Sequence, residues 1–248
     1  MHTSIHQLYK HANTCKSIAK TLEACRYSFH ELIGVDDLIK HCGVTGALTV
    51  PVTAFLNVDP DHLRLCYQLF SVACCFDTWR FLPDKRSRAA VIATHLHIND
   101  EISDKYMARV SREALGAKKA MAIKTAHFAA EVKRGAGPEV VRAAAKSRAR
   151  LAAAKAAVGV TEICFINSSQ LYEDDIQLHN MIKASQSRKL AMDVANFVGE
   201  AFAAWARSEQ QGTGLKASID VYLSAASGRV KQAENFKSIF SAVTSQNA

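Results

Sequence analysis

SDKYMARVSREALGAKKAMAIKTAHFAAEVKR, residues 103–134, followed by Gly-Ala-Gly-Pro at 135–138, is the stretch whose reading decides the fold class. Met107, Val110, Leu115, Met121, Ile123 and Phe128 recur at helical intervals, Ser103 can cap the start, and the glycines with Pro138 mark the end. Working outward toward the N-terminus, Ser87 to Leu96 reads as a helix after the break at Pro83, and Asn99 to Ser103 as a loop. Asp59-Pro60 is a strong helix start, because the carboxylate accepts from free amides and proline fits the first turn; that helix should run to about Phe76. Ile5, Leu8, Tyr9, Ala12, Cys15, Ile18, Ala19, Leu22 and Cys25 predict one helix, and the capping-box pair Ser28 and Glu31 predicts a short one through Leu38 and Ile39 until Gly43. Gly46 to Leu56, rich in Thr and Val, reads in isolation as a strand interrupted by Pro51, but it has no second strand to pair with.

Outward in the other direction, Glu139 to Val158 is alanine-rich with interspersed Lys and Arg. It is an excellent helix former but a poor source of large core side chains, so a surface or mobile helix is expected. Leu190, Val194, Phe197, Val198, Ala201, Phe202 and Trp205 share a face that ends before Gly212 and Gly214, and a last helix or helix pair carries Ile219 through Val243. The expectation is an all-α protein of helical bundles. An N-terminal and middle domain would span 1–180, with sub-bundles at about 1–80 and 87–178, and a smaller helical domain would span 185–248.

Composition agrees. The 248 residues are enough for a substantial core, and 22% charged with 49% apolar residues excludes a disordered or fibrous chain. Four prolines and 11 glycines leave little material for the turns of an all-β protein. Seven cysteines at irregular spacing, with no apolar signal segment at the start, predict reduced thiols and a cytosolic or nuclear setting. Apolar runs such as Leu69 to Phe76 are far too short for a bilayer, which needs roughly 20 apolar residues. Any membrane contact would be peripheral.

The net charge of +8 is regional. Lys105 to Lys155 holds thirteen Lys and Arg against three acids, a net +10, and the rest of the chain carries −2. Such a segment attracts the phosphates of nucleic acid or anionic lipid. Its plainer reading is a solvated helix face. The candidate membrane- or nucleic-acid-binding residues are Arg109, Arg112, Lys118, Lys119, Lys133, Arg134, Arg142, Lys146, Arg148 and Arg150, joined by Lys85, Arg86 and Arg88 if the fold brings them alongside.

Tests for chemistry return nothing. There is no phosphate-cradling loop, nucleophile elbow, zincin helix or Cys-x-x-Cys knuckle, and Gly135-Ala136-Gly137 is better explained as a turn. His41-Cys42 and Cys74-Cys75 could ligate a metal only if folding gathered distant donors; buried thiols are the plainer reading. Glu173-Asp174-Asp175 reads as a solvated acidic turn, and Trp79 and Trp205 as core or interface anchors rather than base-stacking platforms. No catalytic residue, metal or cofactor is expected.

The order of features resembles the matrix proteins of orthomyxoviruses, the influenza-like viruses. Gly46-Ala-Leu-Thr-Val-Pro-Val-Thr-Ala-Phe-Leu-Asn-Val58 is similar to the family's Thr/Val-rich stretch with its Leu-Thr-Val-Pro run. Ser111-Arg-Glu-Ala-Leu-Gly-Ala-Lys118 resembles the basic helix end and Gly-Ala-Lys turn of its middle domain, and Ala157-Val-Gly-Val-Thr-Glu-Ile-Cys-Phe165 the entry into the last helix before its linker. Arg188 to Trp205 resembles its first long C-terminal helix. The likeness runs from about Gly46 to Val230 and is carried by order, size, basicity and helicity rather than by any one motif. Departures accompany it. Of the family's tri-arginine stretch only Arg64 remains between Leu63 and Gln68, Val110 and Ser111 separate Arg109 from Arg112, and the Gly135 to Lys155 stretch is extra. The Cys/His set known in influenza A falls at Ser169, Tyr172, Asn180 and Lys183, so no zinc site transfers.

The resemblance implies a distant member of that family. It implies a matrix layer under the virion envelope, self-associating and contacting anionic membrane, the viral ribonucleoprotein or RNA, and envelope glycoprotein tails. In the host it implies presence in cytoplasm, nucleus and at the inner face of the plasma membrane. The alternative is a small negative-strand-virus nucleoprotein encapsidating RNA, which would need stacking aromatics in a positive groove; between Lys105 and Lys155 the aromatics are Tyr106 and Phe128. A cellular helical adaptor is a third reading. Charge reversal at Arg142, Lys146, Arg148 and Arg150 is expected to weaken polyanion binding without unfolding the chain, checked by liposome and RNA binding beside circular dichroism.

Overall fold

The structure is a computed structural model that describes residues 2–11, 15–50, 54, 59–166, 176–209 and 215–245. Among them the chain is helical almost throughout. The helices are α1 (Ile5–His11), α2 (Lys16–Ala24), α3 (Val35–Thr49), α4 (Pro60–Asp77), α5 (Lys85–Ile98), α6 (Asp104–Lys133), α7 (Pro138–Phe165), α8 (Ile176–Glu209) and α9 (Leu215–Ser245). Two short strands, β1 (His2–Thr3) and β2 (Ile33–Gly34), pair antiparallel. The fold is an all-α bundle, as the spacing of apolar residues requires.

Local chemistry sets the helix ends. Asp84 caps α5 by accepting from the Arg86 N–H at 2.9 Å, and Ser103 Oγ caps α6 by accepting from the Tyr106 N–H at 3.4 Å. α2, α5 and α6 each end in a left-handed residue, Arg26 (φ 67°), Asp100 (φ 59°) and Gly135 (φ 85°). In each case the next amide reaches back to a carbonyl of the last turn: Tyr27 to Leu22, Glu101 to Leu96 and Ala136 to Glu131.

The chain divides into two compact units. One comprises Met1–Phe70, Phe165–Met192 and Gln232–Ala248, the other Ser71–Cys164 and Asp193–Lys231. The expected boundary between 180 and 185 falls inside α8, whose sequence carries no glycine or proline there to stop a helix. Asp193–Lys231 belongs to the second unit and Gln232–Ala248 to the first.

In the first unit, α1 packs on α2 and α2 on α3. Residues 5–25 thus form two helices rather than one. Ser28 and Glu31 do bond, the Ser28 N–H donating to the Glu31 carboxylate at 2.9 Å, but they close a turn; Ile33, fully buried, pairs with Thr3 before α3 begins. α3 breaks at Gly43 (φ 70°) and resumes to Thr49, so the expected strand over 46–56 is overturned where it is described. Val44, Ala47 and Leu48 bury a helical face, and tertiary burial overrides local β-preference. Tyr67 and Phe70 of α4 meet Phe240 and Phe236 of α9 edge-on, at 5.3 and 5.1 Å between ring centroids.

In the second unit α5 packs on α6, and α7 is the central helix. Ala144, Ala149, Ala152, Ala153, Ala154, Ala156 and Ala157 are buried, and from 152 to 161 every residue except Lys155 is buried. The expectation of a surface helix therefore holds for the first half, where Arg142, Lys146 and Arg148 are exposed, and fails from Ala152 onward. Small side chains allow helix axes to approach about 8 Å, so an alanine face is what a crowded centre needs. The Ser111 and Thr161 hydroxyls (3.0 Å) and those of Thr125 and Ser147 (2.8 Å) join α6 to α7, and a Cβ on Gly159 would lie 3.1 Å from Val194 of α8. Ala153→Leu is expected to cost about 1 to 3 kcal/mol through overpacking, whereas Ala122→Leu on the exposed side of α6 costs little; urea unfolding of the two variants makes the comparison.

Candidate functional site

α6 buries Met107, Val110, Ala114, Ala117 and Thr125 along one side. Lys105, Arg109, Arg112 and Lys119, separated by four, three and seven residues, therefore fall together on the opposite, exposed side. Ile123, one turn beyond Lys119, is 74% exposed among them. Lys133 and Arg134 close the same 30-residue helix, which spans about 45 Å.

The start of α5 does come alongside. A Cβ on Gly116 would lie 3.5 Å from the Arg86 guanidinium, so Arg86 lies over α6 between the turns of Arg112 and Lys119. It arrives partly neutralised, because Arg86 holds Asp84 through two contacts of 2.8 and 3.1 Å. Their hydrogen bonds keep the Asp84 carboxyl below its usual range and raise the Arg86 guanidinium. Lys85 is exposed beside it. Arg88 behaves differently: its Nε donates to the Leu82 carbonyl and its guanidinium lies 5.2 Å from the Trp79 ring, so it packs this corner rather than facing a ligand.

The α7 cations lie elsewhere. Lys146 sits 5.7 Å from the Trp205 ring of α8, Arg142 bonds Glu139 at 2.9 Å, and Arg150, like Lys118 on α6, is half-buried. Arg148 opens into a groove between α7 and α8, of about 310 Å³, with Lys155, Arg207 and Glu200 on its walls. The candidates thus do not form one surface: Arg109, Arg112 and Lys119 share the outer face of α6 with Lys105 and have Arg86 across it, Arg148 lines the α7–α8 groove, and Arg88 packs a corner. Arg207 was missed because no basic cluster surrounds it in sequence.

A second cavity of about 500 Å³ is lined by Phe76, Asp77, Trp79, Arg80, Phe202, Ser227 and Lys231. Phe76, 44% exposed, stacks on Trp79 with centroids 5.6 Å apart, and Arg80 lies 5.6 Å from the Phe202 ring. Trp79 and Trp205, both half-buried, each carry a cation on the ring. Sequence spacing gave no hint that residues from α4, α8 and α9 would meet here.

Among the described residues no group of three His, Cys, Asp or Glu side chains could hold a metal, and no helix is long and apolar enough to cross a membrane. Burial raises the Cys74 and Cys75 thiols, with their neighbouring charges a lesser cause. Glu173-Asp174-Asp175, Ser169 and Tyr172 lie outside the described residues, while Asn180 donates to Asp61 at 2.8 Å.

Comparison with protein-family models, with curated proteins and with solved structures found no match. Arg88→Ala is expected to lower stability by about 1 to 3 kcal/mol, since a charged donor and a ring contact are lost together. Polyanion affinity should be unchanged, a separation read from thermal unfolding beside a binding isotherm.

Proposed function

We propose that the protein is a peripheral matrix protein that self-associates into a layer on anionic membrane and contacts the viral ribonucleoprotein. The observation that carries this reading is the outer face of α6, where Lys105, Arg109, Arg112 and Lys119 form a row that leads to the exposed Ile123. Basic side chains near an anionic leaflet contribute about 1 kcal/mol each, and an apolar side chain among them can enter the headgroup boundary. That affinity is modest for one copy, and lateral assembly multiplies it through avidity. Leu223 and Val230, two turns apart on α9 and 57% and 56% exposed, offer an apolar strip suited to a neighbouring copy. The ordered likeness to orthomyxovirus matrix proteins supports the same reading, with envelope glycoprotein tails as further partners and the inner face of the virion envelope as the place of action.

The nucleoprotein alternative draws on a different observation: the cavity at Phe76 and Trp79 pairs stacked, accessible rings with Arg80 and Lys231, the elements a base and its phosphate require.

Flotation with phosphatidylserine liposomes tests the first reading. The triple variant Arg109→Glu, Arg112→Glu, Lys119→Glu should lose roughly 100-fold in affinity at low salt. Ile123→Ser should show a smaller loss that persists at high salt, and electron microscopy should show a regular coat on wild-type liposomes. Stoichiometric RNA binding that weakens by about tenfold in Phe76→Ala, with little liposome binding, would replace the matrix reading with the nucleoprotein.

A further inference from the structure

The seven cysteines are not equivalent. Cys15, Cys66, Cys74, Cys75 and Cys164 are buried, and burial pushes the Cys66 and Cys164 thiols up to about 12. Cys25 is exposed and Cys42 half-exposed. Cys25 is the C-cap residue that follows α2, immediately before Arg26 turns into the left-handed region, which presents its sulfur at the helix end rather than along a packed face. There the Cys25 Sγ lies 3.2 Å from the His41 Nδ1 of α3.

His41 is itself held. The Tyr27 ring meets it edge-on at 5.6 Å. Cys42 follows His41 directly and precedes Gly43, where the helical conformation is interrupted. Burial pushes the Cys42 thiol up, with the Cys25 charge a lesser cause. One exposed thiol touches an imidazole, and a second thiol belongs to the residue next to that imidazole.

We propose that Cys25 and Cys42, with His41 between them in sequence and in contact with Cys25, form a redox-responsive pair that hydroperoxides convert to a disulfide joining α2 to α3. In the first step the imidazole takes the Cys25 proton and the thiolate attacks a peroxide oxygen. The S–O bond forms, the O–O bond breaks, and the departing hydroxide or alkoxide recovers the proton as water or alcohol. Sulfur is oxidised to the sulfenic acid and the peroxide is reduced. In the second step the Cys42 thiol attacks the Cys25 sulfur; the S–S bond forms, the S–O bond breaks, and the hydroxyl leaves as water with the Cys42 proton. No further oxidant is needed. Cys25 is the more exposed of the two thiols and the one in contact with the imidazole, so it is oxidised first.

The test uses the full chain treated with hydrogen peroxide under native conditions, followed by peptide mass mapping after alkylation of the remaining thiols. A Cys25–Cys42 linkage is expected, with Cys66 and Cys74 unmodified as the sign that the fold is intact. Cys42→Ser should halt the reaction at a sulfenic acid on Cys25, captured by dimedone. His41→Asn, with the buried thiols still protected, should slow Cys25 oxidation by about tenfold. Modification spread evenly over the cysteines, first oxidation at Cys42, or an unchanged rate in His41→Asn would each overturn the proposal.

Discussion

The second compact unit depends on how closely backbones can approach α7. Its alanines contribute little apolar area each, so burial of large side chains does not hold the centre together as it does around Tyr67, Phe70, Phe236 and Phe240 in the first unit. What replaces area is proximity. Helices that meet over methyl groups bring long runs of main-chain and Cβ atoms into dispersion contact, and the hydroxyls of Ser111, Thr125, Ser147 and Thr161 satisfy one another where larger polar groups would not fit. Gly228 follows the same rule, since a Cβ there would come within 2.8 Å of the Phe202 ring.

This constraint bears on the candidate surface. With α7 filling the inner side of α6, the cations of α6 are left outward, and Gly116 keeps the backbone low enough for Arg86 to lie across it. A Cβ at 116 would make ordinary van der Waals contact with the Arg86 guanidinium. The charges are thus arranged by the same economy of volume that builds the core.

Helix starts were legible where capping is local: Ser103 acts within three residues and Asp59-Pro60 opens α4 as its chemistry dictates, whereas the cap at Asp84 was not read and α5 begins at Lys85 rather than Ser87. The ends at Gly43 and Gly135 were legible for the same reason. The strand expected near Gly46 and, from Ala152 onward, the surface role expected of Glu139 to Val158 failed because both depend on partners remote in sequence. Alanine is equally at home on a solvated helix and in a crowded centre, and composition cannot separate the two. The candidate site was legible only in part. Arg109, Arg112 and Lys119 announce themselves by spacing, whereas Arg88 looks identical to a ligand-binding arginine until its carbonyl and ring partners are seen. The aromatic cavity and the contact between Cys25 and His41 join residues from separate helices, and no periodicity encodes such meetings.

The alanine face of α7 also shapes how this chain can drift through evolution. Runs of Ala, Lys and Arg look like sequence that any mutation could rewrite harmlessly, and on the outer face of α6 many exchanges among polar residues would pass. At Ala149, Ala153, Ala156 and Ala157, all fully buried, every residue other than glycine that a single-base change can install is larger than alanine, and overpacking opposes it. The segment of lowest apparent complexity is therefore the one with a narrow set of tolerated neighbours, and its plainness follows from the limit on size.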